Sequence, residues 1–237
     1  MKGIILAGGS GSRLMPLTRT TNKHLLPVGS SPMIYYPLIK LKEAGIKDIF
    51  FVTGEHTLED FYNLLKNGEK MGLNLSYGIQ EQPGGIAQAL SLAEDYAAGD
   101  RIIVLLGDNI FKAGLNGYIN NFLMQTKGAR VLLKEVSDPQ RYGIAVFEGR
   151  ELISIEEKPQ YPQSNMCVTG IYMYDSDVFR IIKGLKTSRQ GQLEITDVNN
   201  EYIKRGQLKF DILEDWWLDA GTIESLQLAS RLVMGKI

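Results

Sequence analysis

The chain predicts an α/β protein built on a central mixed, mostly parallel sheet, and three observations carry that prediction. Short runs rich in Ile, Val and Leu recur at residues 3–7, 48–53, 73–79 and 101–106. Segments with apolar residues at helical spacing separate them, so strands and helices alternate, as in a parallel sheet covered on both faces. The first run leads straight into a glycine-rich turn, Gly8-Gly-Ser-Gly-Ser-Arg13, with Lys23 not far beyond.

Along the first half, helical periodicity falls at 32–44 (Ile34, Leu38, Leu41, Ala44), 58–71 (Leu58, Phe61, Leu64, Leu65, Met71) and 86–96 (Ile86, Leu90, Ala93, Tyr96). The second half changes character. Strand-like runs at 129–136, 144–147, 152–156, 168–174 and 207–213 are in several cases joined by short turns, which predicts mixed or antiparallel additions to the sheet. Helices return at 175–183, 194–205 and 222–234. No repeat, low-complexity tract or long Pro/Gly/Ser linker divides the chain, and the polar stretch 159–164 is short enough for a surface loop. The expectation is one domain spanning 1–237.

Composition narrows the function classes. The 237 residues are 44% hydrophobic and 22% charged, ordinary for a globular protein, and the formal net charge is −1. No overall field draws such a chain to nucleic acid or to a membrane surface. Apolar runs such as 102–106 are far too short to span a bilayer, and no signal peptide follows Met1. The one cysteine, Cys167, excludes an internal disulfide and suits a reducing, cytoplasmic setting; its apolar neighbours predict a buried hydrophobe rather than a nucleophile. The two histidines, His24 and His56, are too few and too far apart for a zinc site.

The glycine turn is the first chemical signal. Glycines let an anion approach the main chain, and Arg13 and Lys23 offer charge-assisted contacts to phosphate oxygens. It is not a P-loop, because no Gly-Lys pair opens a helix. Nor is it a dinucleotide fingerprint, because Leu14 stands at the third glycine position. Pro16 argues against a long helix immediately after it. A tight turn after a core strand is the plain alternative.

Asp108, in Leu106-Gly-Asp-Asn-Ile, sits at the carboxyl end of a buried run, where open α/β sheets bind ligands. A carboxylate there serves as a Mg²⁺ ligand or as a helix cap. Asp219, in Trp216-Trp-Leu-Asp-Ala-Gly-Thr222, has the same choice, with Thr222 as a competing cap. Glu157 and Lys158 close a mixed-charge run that reads either as a solvated strand end or as groups for sugar hydroxyls and a phosphate. Gln80, before the Pro83-Gly-Gly85 turn, carries an amide able to pair with a pyrimidine edge, with the Gly85 backbone beside it.

Seven ordered motifs carry a resemblance covering nearly the whole chain: Gly3-Ile-Ile-Leu-Ala-Gly-Gly-Ser-Gly-Ser-Arg13-Leu, Lys23 with Leu25-Leu-Pro27, Pro32-Met-Ile-Tyr-Tyr-Pro37, Leu106-Gly-Asp-Asn-Ile-Phe111, Glu156-Glu-Lys-Pro159, Val168-Thr-Gly170 and Leu193-Glu-Ile-Thr-Asp197. The chain resembles the sugar-phosphate nucleotidylyltransferases, and most of all the members that use dTTP and glucose 1-phosphate. The resemblance implies a Rossmann-like three-layer nucleotidyltransferase fold, with a nucleotide-binding part over about 1–110 and a sugar-phosphate-binding part over about 111–237. It implies Mg²⁺-dependent formation of dTDP-glucose and pyrophosphate, and a homotetramer. Gly8, Gly11, Ser12, Arg13 and Lys23 would then hold the triphosphate, and Gln80 and Gly85 the thymine. Asp108 and Asp219 would hold the metal. Tyr142, Gly143, Glu157, Val168 and Tyr172 would contact glucose, with Lys158 and Arg189 on its phosphate. Arg13, Lys23 and Lys158 would be the catalytic cations.

Ser12 and His24 stand where the family has Thr and Gln. Larger members continue beyond the position of Ile237, and the resemblance leaves open the end-product regulatory site that they build at a subunit interface. UTP- or CTP-dependent transfer, and a non-catalytic nucleotide-binding subunit on the same fold, are the competing readings. The second would be expected to lack one of Arg13, Lys23, Asp108, Lys158 or Asp219, and all five are present.

Overall fold

The computed structural model describes residues 1–9, 11–188 and 191–236. Its first half alternates strand and helix. Strand β1 (Lys2–Leu6) is followed by the short pair β2 (Pro27–Val28) and β3 (Ser31–Pro32), then α1 (Tyr35–Glu43), β4 (Asp48–Gly54), α2 (Leu58–Leu65) and β5 (Asn74–Gln80). Helices α3 (Ile86–Ser91) and α4 (Glu94–Ala97) lead to β6 (Ile102–Leu106) and β7 (Asn109–Phe111). Beyond α5 (Asn116–Leu123) come β8 (Ala129–Glu135), β9 (Gly143–Glu148), β10 (Glu151–Glu157) and β11 (Met166–Tyr174). Helices α6 (Asp177–Gly184) and α7 (Ile195–Lys204), strands β12 (Leu208–Ile212) and β13 (Trp217–Asp219), and α8 (Ile223–Val233) complete the order.

Nine strands form one sheet through both halves. The path runs β10-β9-β11-β6-β1-β4-β5, with β8 paired to β11 and β12 paired to β8. All pairings among β6, β1, β4 and β5 are parallel, whereas β11 runs antiparallel to β6, β8 and β9. The mixed sheet expected from the sequence is present, and the antiparallel additions fall in the second half.

Alternation along β1 shows why both faces are apolar. Ile5 and Ala7 join Phe51, Ile103 and Leu105 on one face, under Leu38 and Leu41 of α1, Phe61 and Leu65 of α2, and Ile119 and Phe122 of α5. Ile4 and Leu6 join Val52, Ile102 and Val104 on the other, under Ala87 and Leu90 of α3, Val178 and Phe179 of α6, and Val198 and Tyr202 of α7. Each fully buried side chain of this size contributes about 1.5–3 kcal/mol, so the layers, not the short helices themselves, stabilise the structure. A third cluster joins Leu14, Val28, Met33 and Ile110 to Ala220, Leu226 and Ala229, fastening α8 onto the segment after β1.

Two sequence expectations change, and three elements appear that the sequence did not announce. The helix at 58–71 ends at Leu65, because Lys66 and Gly68 take positive φ (51° and 80°), and residues 69–71 form a separate 3₁₀ turn. The helix at 86–96 is two pieces, 86–91 and 94–97. The β7–β13 pair and α5 carry no signal strong enough to be read from sequence, since β7 and β13 have three residues each and pair across 106 positions of chain (Trp217 opposite Phe111).

Cys167 is fully buried, and burial pushes its thiol up to about 12. A thiol held neutral and sealed from solvent does not exchange with disulfides. Ellman's reagent at pH 8 is therefore expected to leave the native protein unlabelled and to titrate one thiol in denaturant; a rapidly reacting native thiol would contradict this packing.

Candidate active site

The order β6-β1-β4-β5 places a topological switch at β1: the chain goes to one side for β4 and to the other for β6. Open parallel sheets bind ligands in the crevice beyond such a point. Because Leu6 and Leu106 are register partners, the glycine turn after β1 and Asp108 after β6 emerge side by side. Strand β11 runs antiparallel to β6, so its first residues reach the same edge. Glu157 at the end of β10 pairs with Gly143 at the start of β9 and arrives there too.

A cleft of about 830 Å³ opens at this edge. Gly8, Ser12, Arg13, Lys23, Gln80, Gly85 and Asp108 line it, together with Tyr142, Gly143, Glu157, Lys158, Val168, Tyr172 and Asp219. Of the residues named from sequence, Gly11 is not in the lining; it starts the one-turn 3₁₀ helix 12–14 in a left-handed conformation (φ 63°), and its carbonyl accepts a hydrogen bond from the Thr18 hydroxyl at 2.8 Å. Arg189 lies outside the described residues. Pro16 indeed leaves no long helix after the turn.

Two carboxylates define the centre. Asp108 Oδ2 meets the Lys23 ammonium at 2.5 Å, and its Oδ1 accepts from the Asn109 side-chain amide at 3.1 Å. Burial pushes the Asp108 carboxyl up, but its neighbours, Lys23 foremost and helped by the hydrogen bonds from Lys23 and Asn109, together outweigh this and hold it well below the usual carboxylate range. Asp219 reaches the site through β13, where it stands opposite Asn109. Its Oδ1 accepts the Gly221 N–H at 2.8 Å, while Oδ2 faces Arg13 at 3.9 Å and Arg141 at 4.0 Å. Burial and the charge on Asp108 push the Asp219 carboxyl up, against Lys23, Arg13 and Arg141. Neither aspartate is a helix cap: Thr222 caps α8 in a capping box with Ser225.

Each aspartate thus has Oδ1 tied by a neighbour and Oδ2 turned to cationic groups. That donor set fits a divalent ion sharing two carboxylates with phosphate oxygens and water, as Mg²⁺ prefers. No group of three or more His, Cys, Asp or Glu among the described residues forms an all-protein metal cage.

On the wall contributed by the second half of the chain, Lys158 has φ 44°, a left-handed conformation costing a lysine about 1–3 kcal/mol. Its N–H donates to the Tyr142 carbonyl at 3.0 Å, and its ammonium meets Glu157 Oε1 at 2.8 Å. Glu157 Oε2 accepts from the Thr196 hydroxyl at 2.5 Å. Tyr172 is buried and its ring stacks on Tyr174 at 6.1 Å between centroids. Across the cleft, the Gln80 amide donates to Gln88 Oε1 at 2.7 Å and to the Gly85 carbonyl at 3.4 Å. Gly85 has φ 97°, and a Cβ there would lie 2.4 Å from the Leu193 carbonyl, so only glycine lets the 83–85 turn dock on that segment.

Sequence reasoning missed Asn109, Arg141, Thr196 and Trp217, all in the cleft wall. Asn109 and Thr196 lie inside quoted motifs, next to Asp108 and within 193–197, so motif position was the available signal. Arg141 had none; it is held by Asp138 at 2.7 Å and lies over the Tyr142 ring.

A switch-point crevice with a glycine-rich rim, four cations (Arg13, Lys23, Arg141 and Lys158) and two aspartates is suited to a protein that handles polyphosphates. The family profile described as nucleotidyl transferase matches residues 2–234. The chain is 45% identical over 237 residues to a glucose-1-phosphate thymidylyltransferase of Neisseria meningitidis, covering 98% of this chain and 82% of that protein. It is equally similar over 238 residues to the enzyme of that name from Mycobacterium tuberculosis, with the same coverage. Its structure superposes at TM-score 0.95 on a Bacillus anthracis protein assigned as a glucose-1-phosphate thymidylyltransferase, 53% identical over 98% of this chain and 94% of that one. A UDP-glucose pyrophosphorylase in its apo form follows at TM-score 0.87 and 25% identity, covering 100% and 99%. The chain belongs to the nucleotidyl transferase family.

His24 is buried beneath Gly107 in the cleft wall. Its Nδ1 lies 2.8 Å from Asn22 Oδ1, a carbonyl that can only accept, so Nδ1 carries the proton of a neutral ring. Burial, then Lys23, lowers its pKa from the ordinary 6.5 to about 3. Between those values the unfolded chain binds more protons than the native one, so stability falls as pH falls. From pH 7.5 to pH 5 the loss from this group is about 2 kcal/mol. Urea denaturation at the two pH values is expected to show a smaller acid-side loss in His24→Gln than in the unsubstituted protein; equal losses would refute the assignment.

Proposed function

We propose that the chain transfers the thymidylyl group of dTTP to glucose 1-phosphate, giving dTDP-glucose and pyrophosphate, with Mg²⁺. The observation that carries this reading is the gathering of Arg13, Lys23, Lys158, Asp108 and Asp219 around one cleft, in a chain 45% identical to thymidylyltransferases over nearly its whole length. Weaker identity to UDP-glucose pyrophosphorylase supports dTTP over UTP. The unbroken sheet supports treating 1–237 as one domain, with the nucleotide held mainly by the first half and the sugar phosphate by the second.

A sugar phosphate is already a nucleophile at neutral pH, so no general base or covalent residue is required. One of its oxygens attacks the α-phosphorus in line; a new P–O bond forms as the bond to the β-phosphate oxygen breaks and pyrophosphate leaves. The obstacle is the approach of two anions, and positioned cations lower it. Arg13 and the glycine turn hold the triphosphate. Lys23 exchanges Asp108 for phosphate and neutralises the departing pyrophosphate. Lys158, fixed by its backbone bond to Tyr142, draws in the sugar phosphate, while Glu157, Tyr142, Gly143, Val168 and Tyr172 shape the glucose pocket. Gln80 and Gly85 read the thymine. Asp108 and Asp219 would hold Mg²⁺, which would supply charge neutralisation on the phosphates. Among the described residues no helix is long and apolar enough to cross a membrane; the buried Cys167 suits a cytoplasmic setting, and a homotetramer follows the resemblance.

Pyrophosphate release measured across dTTP, UTP and CTP against several sugar 1-phosphates is expected to be fastest for dTTP with glucose 1-phosphate and to vanish with EDTA. A faster rate with UTP would reassign the nucleotide, and silence with every pair would leave a binding protein. Lys158→Ala is expected to lower kcat/KM by about 10²–10³, as loss of a transition-state charge donor does elsewhere; a near-normal value would remove Lys158 from the mechanism.

A further inference from the structure

Asn109 is almost fully buried, at 2% exposure, and every polar atom of its side chain is engaged. Its Oδ1 accepts the Gly170 N–H at 2.7 Å and the Trp217 indole N–H at 2.7 Å. Its Nδ2 donates to Asp108 Oδ1 at 3.1 Å. An amide whose carbonyl faces two donors cannot flip, because flipping would set its NH₂ against both of them. The donor is therefore always presented to Asp108. This holds one carboxylate oxygen inside the wall and leaves Oδ2, the atom now on Lys23, as the one turned to the cleft.

The anchor comes from the other half of the site. Gly170 sits where the pairing of β11 with β8 shifts, between Val168 and Tyr172, so its N–H is free of the ladder at that point. A Cβ on Gly170 would lie 2.7 Å from Asn109 Cγ, Nδ2 and Oδ1 alike. Trp217 packs edge-on against Tyr142, 5.6 Å between centroids. One amide thus ties the turn carrying Asp108 to two other segments of the cleft wall, β11 and β13.

We infer that Asn109 is a positioning residue that sets the orientation of Asp108, so that this carboxylate offers Oδ2 alone to the cation it binds. The inference rests on Asp108 being a metal ligand. Residues that orient a ligand in this way typically carry 10–100-fold in metal affinity.

The test titrates Mn²⁺ by electron paramagnetic resonance in the presence of dTTP, beside kcat and the melting temperature. Asn109→Ser, which is too short to reach Asp108, is expected to weaken Mn²⁺ binding about tenfold or more and to raise the Mg²⁺ concentration giving half-maximal rate in parallel. Gly170→Ala, which expels the amide from the opposite side, is expected to reproduce that change. Trp217→Phe, which removes the indole N–H but keeps an aromatic ring and the Gly170 N–H as anchor, is expected to leave Mn²⁺ affinity within about threefold of the unsubstituted protein, far inside the expected effect. A folded Asn109→Ser protein with unchanged Mn²⁺ affinity would overturn the inference. So would an equal loss in Trp217→Phe. If Asn109→Ser does not fold, Gly170→Ala decides by the same titration. Mn²⁺ bound normally by the unsubstituted protein, in a preparation that transfers no nucleotide, would defeat the proposed reaction and leave the positioning role standing.

Discussion

The arrangement of the cleft follows from one contact, the buried ion pair between Lys23 and Asp108. Two opposite charges are removed from water at the end of a central strand, and their attraction must offset a desolvation cost of several kcal/mol per ion. Such a pair is weak evidence for stability and stronger evidence for use. Lys23 is the foremost of the groups that keep Asp108 charged in the crevice, and Asp108 in turn receives the Lys23 ammonium beside the glycine turn. Around this pair the site is close to neutral: Asp219 is balanced by Arg13 and Arg141, and Glu157 by Lys158.

The scaffold exists to hold those charges in place. Parallel strands β1 and β6 deliver the glycine turn and Asp108 to neighbouring positions, and antiparallel β11 returns to the same edge with the sugar side. The ends of the chain also meet there. Helix α8 packs through Leu226 and Ala229 on Leu14 and Val28, and Gly29 N–H donates to the Ser230 hydroxyl at 3.2 Å. The segment after β1 therefore packs against residues two hundred positions away, and Asn109 joins the two sides of the cleft through a single amide.

Much of this was legible in the linear chain. Each strand expected from sequence is present within a residue or two, because strands buried on both faces leave continuous Ile, Val and Leu runs that nothing else explains. Glycines at the loop, aspartates at strand ends and the motif order pointed to polyphosphate chemistry and to the family. The helix at 58–71 was overextended, because an apolar Met71 kept the period going while Lys66 and Gly68 had already left helical φ.

By itself, then, the sequence determined the layered α/β class, the sheet's central strands and the residue types of the site, since burial and backbone freedom act on each residue locally. Only the tertiary structure decided which atoms meet. That His24 is a neutral buried ring, that Arg141 stands behind Asp219, that Thr196 holds Glu157 and that Asn109 orients Asp108 all depend on contacts between distant segments. The free energy of such a contact depends on the distance and burial of both partners, and neither quantity is written in the neighbourhood of either residue.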